Sequence, residues 1–230
     1  MVTRGPTAEQ FFEAIRQGND MAVDTAIAAN VDLLASRDRS GLTPVLVAAY
    51  AGRGKMACRI AAAAASSPYG LDIFDAAATG NVDAVRALLA GNLAAVDDHG
   101  PDGYTALHLA AFFGYLDVAR LLLGRGADPN AVALNESRVT PLHAAVAARH
   151  RDTAGLLMAL GASPNAVQRG GYTPLHAAAR AGDEAIVDML LLRGADTTRK
   201  TDAGRTPADM AEEGGSAAIA RLLRGSASKR

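Results

Sequence analysis

The sequence predicts an all-α protein built from stacked helix-turn-helix pairs, and three observations carry that prediction. One phrase returns in register: Thr105-Ala106-Leu107-His108, Thr140-Pro141-Leu142-His143 and Thr173-Pro174-Leu175-His176 start at successive steps of 35 and 33 residues, and Thr206-Pro207 opens a further copy 33 residues on. Gly126, Gly161 and Gly194 each fall 21 residues after their threonine, and each is followed by alanine. Between phrase and glycine, apolar side chains recur at helical spacing.

Local chemistry accounts for the two helices of a unit. The Thr173 hydroxyl can cap a helix N-terminus, and Pro174 sits at the first helical position, where its fixed φ suits and no N–H is lost. His176 falls at the third position, beside the end that the cap must satisfy. Ala177 and Ala178 are small enough for a neighbouring helix to approach closely. Gly182 ends the first helix, Asp183 is placed to cap the second, and Ile186, Val187, Leu190 and Leu191 continue the apolar stripe to Gly194. A period near 33 carrying Thr-Pro-Leu-His-x-Ala resembles the ankyrin repeat family. The resemblance implies an ankyrin-repeat solenoid with projecting β-turns or hairpins and about seven repeats, caps included.

Taken in order, residues 1–8 read as a leader and 9–42 as an N-terminal capping repeat. There Glu9 stands in the threonine position, Phe11, Phe12 and Ile15 face inward, and Asn19 caps the second helix. Residues 43–70 form an irregular, shortened repeat opened by Thr43-Pro44. Residues 71–104 form a degenerate one, with Leu71 in the threonine position and Phe74 in the histidine position. Its start lies 28 residues after Thr43, so Ser66-Ser67-Pro68-Tyr69-Gly70 is a short connection. Two readings stay open: a continuous stack with one missing finger, or two blocks meeting after Ser67. The continuous stack is favoured, because a break exposes two apolar faces. Residues 105–139, 140–172 and 173–205 are near-regular repeats, the 35-residue step placing two extra residues in the turn Leu134 to Val139. Residues 206–224 read as a C-terminal cap, with Asp209 in the histidine position and Glu212, Glu213 and Arg221 on a polar outer face. Residues 225–230 read as a disordered tail.

Composition narrows the function classes. Half of the 230 residues are hydrophobic but only 4% are aromatic, so the core must be built from Ala, Leu and Val. A net charge of -1 removes the main electrostatic reason to expect nucleic acid or an anionic membrane as partner. The single Cys58 cannot form an internal disulfide, and no stretch reaches the roughly 18 apolar residues of a spanning helix. A cytoplasmic protein is expected. Three lysines among 23 basic residues, with abundant Ala and Gly, point to a GC-rich genome of bacterial type.

The apparent chemical signals have plain structural readings. His108, His143 and His176 share one repeat position, so they lie roughly 8–10 Å apart if helices pack normally. Ligands of one metal must reach it at about 2.1 Å, so these histidines read as hydrogen-bonding partners at helix starts. His99 and His150 are isolated and expected to be exposed, and Cys58 reads as a buried small hydrophobe. Gly124, Gly126, Gly170 and Gly171 lack the lysine and spacing of a phosphate loop. No enzyme activity, cofactor or metal is expected.

What remains is surface. The resemblance implies that partners bind a concave side made by the projecting turns and the first-helix ends. Those positions hold Asp102, Tyr104, Phe112, Phe113, Arg138, Arg169, Tyr172, Arg180 and Arg205, and aromatic and arginine side chains are the usual interface anchors. The expected role is a monomeric, non-catalytic module that binds a protein partner and neither nucleic acid nor membrane. The alternative is an accessory or inhibitory subunit of a co-encoded enzyme. The bland reading of the patch is that Phe112 packs between repeats and the tyrosines cover turn backbone.

Overall fold

The computed structural model describes residues 5–227. Among the described residues there are fourteen α-helices, three short 3-10 segments and no strand, with one isolated bridge between His99 and Thr105. The chain divides into two compact units, the first of Met1–Ala95 with Gly100–Asp102, the second of Val96–His99 with Gly103–Arg230.

The first unit holds three helix pairs: α1 (Ala8–Gln17) with α2 (Asp20–Ala29), α3 (Pro44–Tyr50) with α4 (Gly54–Ala65), and α5 (Ile73–Ala78) with α6 (Val82–Gly91). Helix α1 starts earlier than the Glu9 alignment predicts. Thr7 caps it through a reciprocal box, with Thr7 Oγ1 accepting from Gln10 N at 3.3 Å and Gln10 Oε1 accepting from Thr7 N at 2.9 Å. Helix α5 starts one residue later than the Leu71 alignment, because Asp72 has the carboxylate that Leu71 lacks and accepts from Asp75 N at 2.8 Å. Asp75, not Phe74, therefore holds the third helical position.

Helix α4 buries Met56, Ala57, Ile60, Ala61 and Ala64. That stripe corrects the reading of Cys58, which lies on the opposite side of the helix and is exposed. The short connection after α4 is tied back into the same unit. Ser67 Oγ donates to the Ala64 carbonyl at 2.7 Å, and the Tyr69 hydroxyl donates to the Asp32 carboxylate. Residues 66–70 lie within the first compact unit.

The second unit holds α7 (Ala106–Phe113) with α8 (Leu116–Gly124), α9 (Pro141–Ala147) with α10 (Arg151–Ala159), α11 (Pro174–Ala181) with α12 (Glu184–Leu192), and α13 (Pro207–Glu213) with α14 (Ala217–Ala227). The first helices pack in the order α7, α9, α11, α13, and the second helices in the order α8, α10, α12. The core is small and aliphatic: Leu107, Leu122, Leu142, Leu157, Leu175, Ile186 and Leu190 are fully buried, with Ala110, Ala145 and Ala178 at the close contacts. In α13 and α14, Glu212, Glu213 and Arg221 are exposed while Met210, Ile219 and Leu223 are buried. Gly225 and Ser226, expected in a disordered tail, continue α14 to Ala227. Residues 1–4 of the leader and 228–230 of the tail lie outside the described residues.

Candidate partner-binding surface

The repeated phrase builds a hydrogen-bonded rail along the second unit. In each of three repeats the histidine Nδ1 accepts from the backbone N–H of the cap threonine, at 3.3 Å for Thr105, 3.3 Å for Thr140 and 3.1 Å for Thr173. This leaves Nε2 to carry the proton. It donates to the carbonyl that precedes the next cap: His108 to Val139 at 3.0 Å, His143 to Tyr172 at 3.3 Å and His176 to Arg205 at 3.2 Å. Burial pushes His143 down to about 4 and lowers His176 as well, which keeps the rings neutral. The histidines hydrogen-bond at the helix starts, as expected, and each also reaches the next repeat. Among the described residues no group of three or more His, Cys, Asp or Glu is placed to hold a metal ion.

A second rail, missed in the sequence, runs through the loops after the second helices. Asn130 Nδ2 donates to the Gly161 carbonyl at 2.9 Å while its Oδ1 accepts from Ser163 N at 2.8 Å. Asn165 repeats this on Gly194 and Asp196 at 3.0 and 2.8 Å. Thr198 occupies the next rung and turns back to the Asp196 carboxylate at 2.7 Å, so the rail ends there. The sequence signal was an asparagine four residues after Gly126 and again after Gly161.

These rails hold the projecting fingers in place. Leu134 N donates to the Gly103 carbonyl, Arg169 N to the Ser137 carbonyl and Asp202 N to the Gly170 carbonyl, at 2.9, 3.0 and 2.9 Å. On this frame the residues singled out from the sequence divide. Phe112 is exposed and meets Phe113 edge-on with ring centres 5.1 Å apart, and Phe113 is half-buried 6.5 Å from the Tyr115 ring. Tyr104 and Tyr172, both half-buried, lie against the His108 and His176 rings of their own repeats at 5.6 and 6.0 Å. Tyr172 Oη also accepts from Arg205 Nη2 at 3.3 Å, and Arg205 is ion-paired to Glu213. Arg169 pairs with the exposed Glu136. Arg138 and Arg180 are exposed. Asp102 belongs to the first unit, where it accepts from the Tyr50 hydroxyl at 2.6 Å.

Tyr115 and the fingers' apolar residues escaped the sequence reading. Val132, Val167 and especially Leu134, 74% exposed, stand on the projecting turns. His99 and His150, expected to be isolated and exposed, are half-buried. His99 Nε2 lies 3.2 Å from the Val132 carbonyl, and the His150 ring covers Gly114. His150 borders a cavity of about 430 Å³ in which Arg149 and Arg151 face Asp183. Its charges are spent on one another: the Asp183 side chain is 1% exposed, caps α12 and lies 3.0 Å from Arg151. Its pKa is lowered despite burial, through the Arg151 hydrogen bond and the Ile186 N–H.

A stack of capped helix pairs joined by finger turns, with neutral histidine struts, defines a repeat scaffold. A family model described as ankyrin repeats, in three copies, matches residues 73–133 and 142–229, and the chain belongs to that family. Ankyrin repeats are in general protein–protein interaction modules. Among curated proteins, the serine/threonine-protein kinases TNNI3K of Mus musculus and Rattus norvegicus are each 41% identical to this chain over 58 residues. That stretch is 25% of this chain and 7% of either kinase. No helix among the described residues is long and apolar enough to cross a membrane.

Proposed function

We propose that this chain is a non-catalytic interaction module that captures a partner protein on the fingers and first-helix ends of its second unit. The observation that carries the reading is the aromatic pair at the end of α7. Phe112 is 43% exposed beside Phe113, in a unit whose buried core is otherwise aliphatic. Large rings left at the surface of a well-packed scaffold are the usual anchors of an interface. Non-catalysis is supported by the state of the polar groups, since both ring nitrogens of His108, His143 and His176 are already bonded. An exposed, unpaired Cys58 supports a reducing, cytoplasmic setting.

Replacing Tyr104 and Phe113 together by alanine tests the reading. Affinity capture from the native cells, read by mass spectrometry, is expected to lose its partner while thermal unfolding shifts by only a few degrees. Early melting would make these residues core and remove them from the surface.

A further inference from the structure

Two residues other than glycine have positive φ among the described residues, Arg138 at 51° and Arg149 at 62°, and they flank one first helix, two residues before and nine after its cap Thr140. Both stand where most other repeats have glycine. Two residues before the cap lie Gly41, Gly70, Gly103, Gly171 and Gly204, with φ between 67° and 81°. Nine residues after the cap threonine lie Gly52, Gly114, Gly182 and Gly215, with φ between 66° and 77°. A side chain in this region is strained by its Cβ against the carbonyl oxygen, which is why glycine is the usual occupant.

Arg149 offsets that strain within the fold. Its Nη2 donates to the Ala181 carbonyl at 2.8 Å, and its Nε lies 3.5 Å from the buried Asp183 carboxylate. Arg138 does not: its guanidinium is exposed and makes no hydrogen bond or ion pair among the described residues. It is also held in a distinctive finger. This turn carries the two extra residues of the 35-residue step. Ala133 N donates to the Val139 carbonyl at 2.9 Å, which sets Leu134, 74% exposed, across from Arg138. The adjacent finger's Arg169 is paired with Glu136, so the cation left for a partner on this finger is Arg138.

We propose that the finger of residues 133–139 selects the partner, Arg138 pairing with a carboxylate of an extended acidic segment while Leu134 packs on an aliphatic side chain of the same segment. This rests on the partner-binding reading above and adds to it the chemistry of the bound segment. A guanidinium fork beside an exposed leucine matches a carboxylate next to an aliphatic residue. The chain's net charge of -1 gives no extended cationic field that would favour nucleic acid or an anionic bilayer over a local carboxylate contact.

Arg138→Gly separates this role from folding, because glycine relaxes the backbone. The variant is expected to melt about 2–4 °C higher than the parent. The binding probe is a random peptide library displayed on phage and selected on the intact chain, followed by synthesis of the enriched peptides. The expected result is enrichment of Asp or Glu beside Leu, Ile or Val, with affinity falling roughly tenfold in Arg138→Gly and less in Arg138→Lys. A DNA oligonucleotide and a phosphatidylserine vesicle serve as competing probes. Peptides without acidic residues, no enrichment, equal affinity for Arg138→Gly, or binding of DNA or vesicle in place of peptide would each overturn the assignment. Loss of partner capture in the Tyr104→Ala and Phe113→Ala protein would still stand in those cases, so the wider reading fails separately.

Discussion

Thr43 and Asp75 meet in a buried hydrogen bond, the threonine hydroxyl donating to the carboxylate across 32 residues of sequence. Thr43 caps α3 and Asp75 sits at the third position of α5, so the bond joins two successive helix pairs where the regular repeats use a histidine. Asp75 is 5% exposed. Burial, reinforced by the neighbouring Asp72, pushes its pKa up from 3.8 to about 7, against the smaller pull of Thr43 and Arg37. A carboxyl raised in the folded state contributes fully below its unfolded pKa and loses that contribution as pH rises toward the folded value. The first unit is therefore expected to lose stability between about pH 4 and pH 7, on the order of 2–4 kcal/mol. Asp75→Asn should flatten that slope. Urea unfolding at pH 5 and pH 7 reads it, and an unchanged slope in the variant would refute the role given to Asp75.

The histidine struts predict the opposite trend in the second unit. His143 is lowered by burial from 6.5 to about 4. A depressed histidine leaves stability intact above 6.5 and removes it as pH falls through that range, because the unfolded chain takes the proton first. Amide hydrogen exchange, corrected for intrinsic rates, is expected to accelerate in α9 and α11 between pH 7 and pH 5 while it slows in α3 and α5. Parallel trends in the two units would contradict both assignments.

The asparagine rail gives a third expectation. Asn165→Ala removes the bonds to Gly194 and Asp196 and should cost about 1–2 kcal/mol. Thr198→Ala, whose hydroxyl only turns back on Asp196, should cost under about 0.5 kcal/mol. Matched chemical denaturation of the two variants checks the difference.

Asp183 gives a fourth. Its carboxylate is buried, accepts from Ile186 N at 3.2 Å and faces both Arg149 and Arg151. Asp183→Ala is expected to destabilise by roughly 2–4 kcal/mol, since the cap and both arginine contacts go together. Arg149→Gly should cost less, because backbone relief offsets the lost contacts and Arg151 remains. A stability loss in Arg149→Gly equal to that in Asp183→Ala would place the weight on Arg149 instead.

The regular half of the fold was legible because its signals are local: a cap, a proline and a histidine within four residues, repeated in phase. Where the cap residue changes type, the frame slipped. Thr7, not Glu9, and Asp72, not Leu71, cap their helices, because only these side chains are placed to accept the backbone N–H. Cys58 was misplaced because an alanine-rich helix shows no clear stripe in sequence. The struts from His108, His143 and His176 could be anticipated in kind but not in partner, since their acceptors lie about thirty residues away. Of the surface residues, the aromatic pair at Phe112 and Phe113 follows from repeat position. The strain at Arg138 is visible only when backbone angles are compared across repeats.

The claim that the fingers and first-helix ends receive a partner is tested most directly by site-specific photo-crosslinking in the native cells. A benzophenone side chain at position 112 or 138 is predicted to trap one and the same protein. The same group at Leu192, 85% exposed on α12, is predicted to trap none. Crosslinks from Leu192 with none from 112 and 138 would contradict the account.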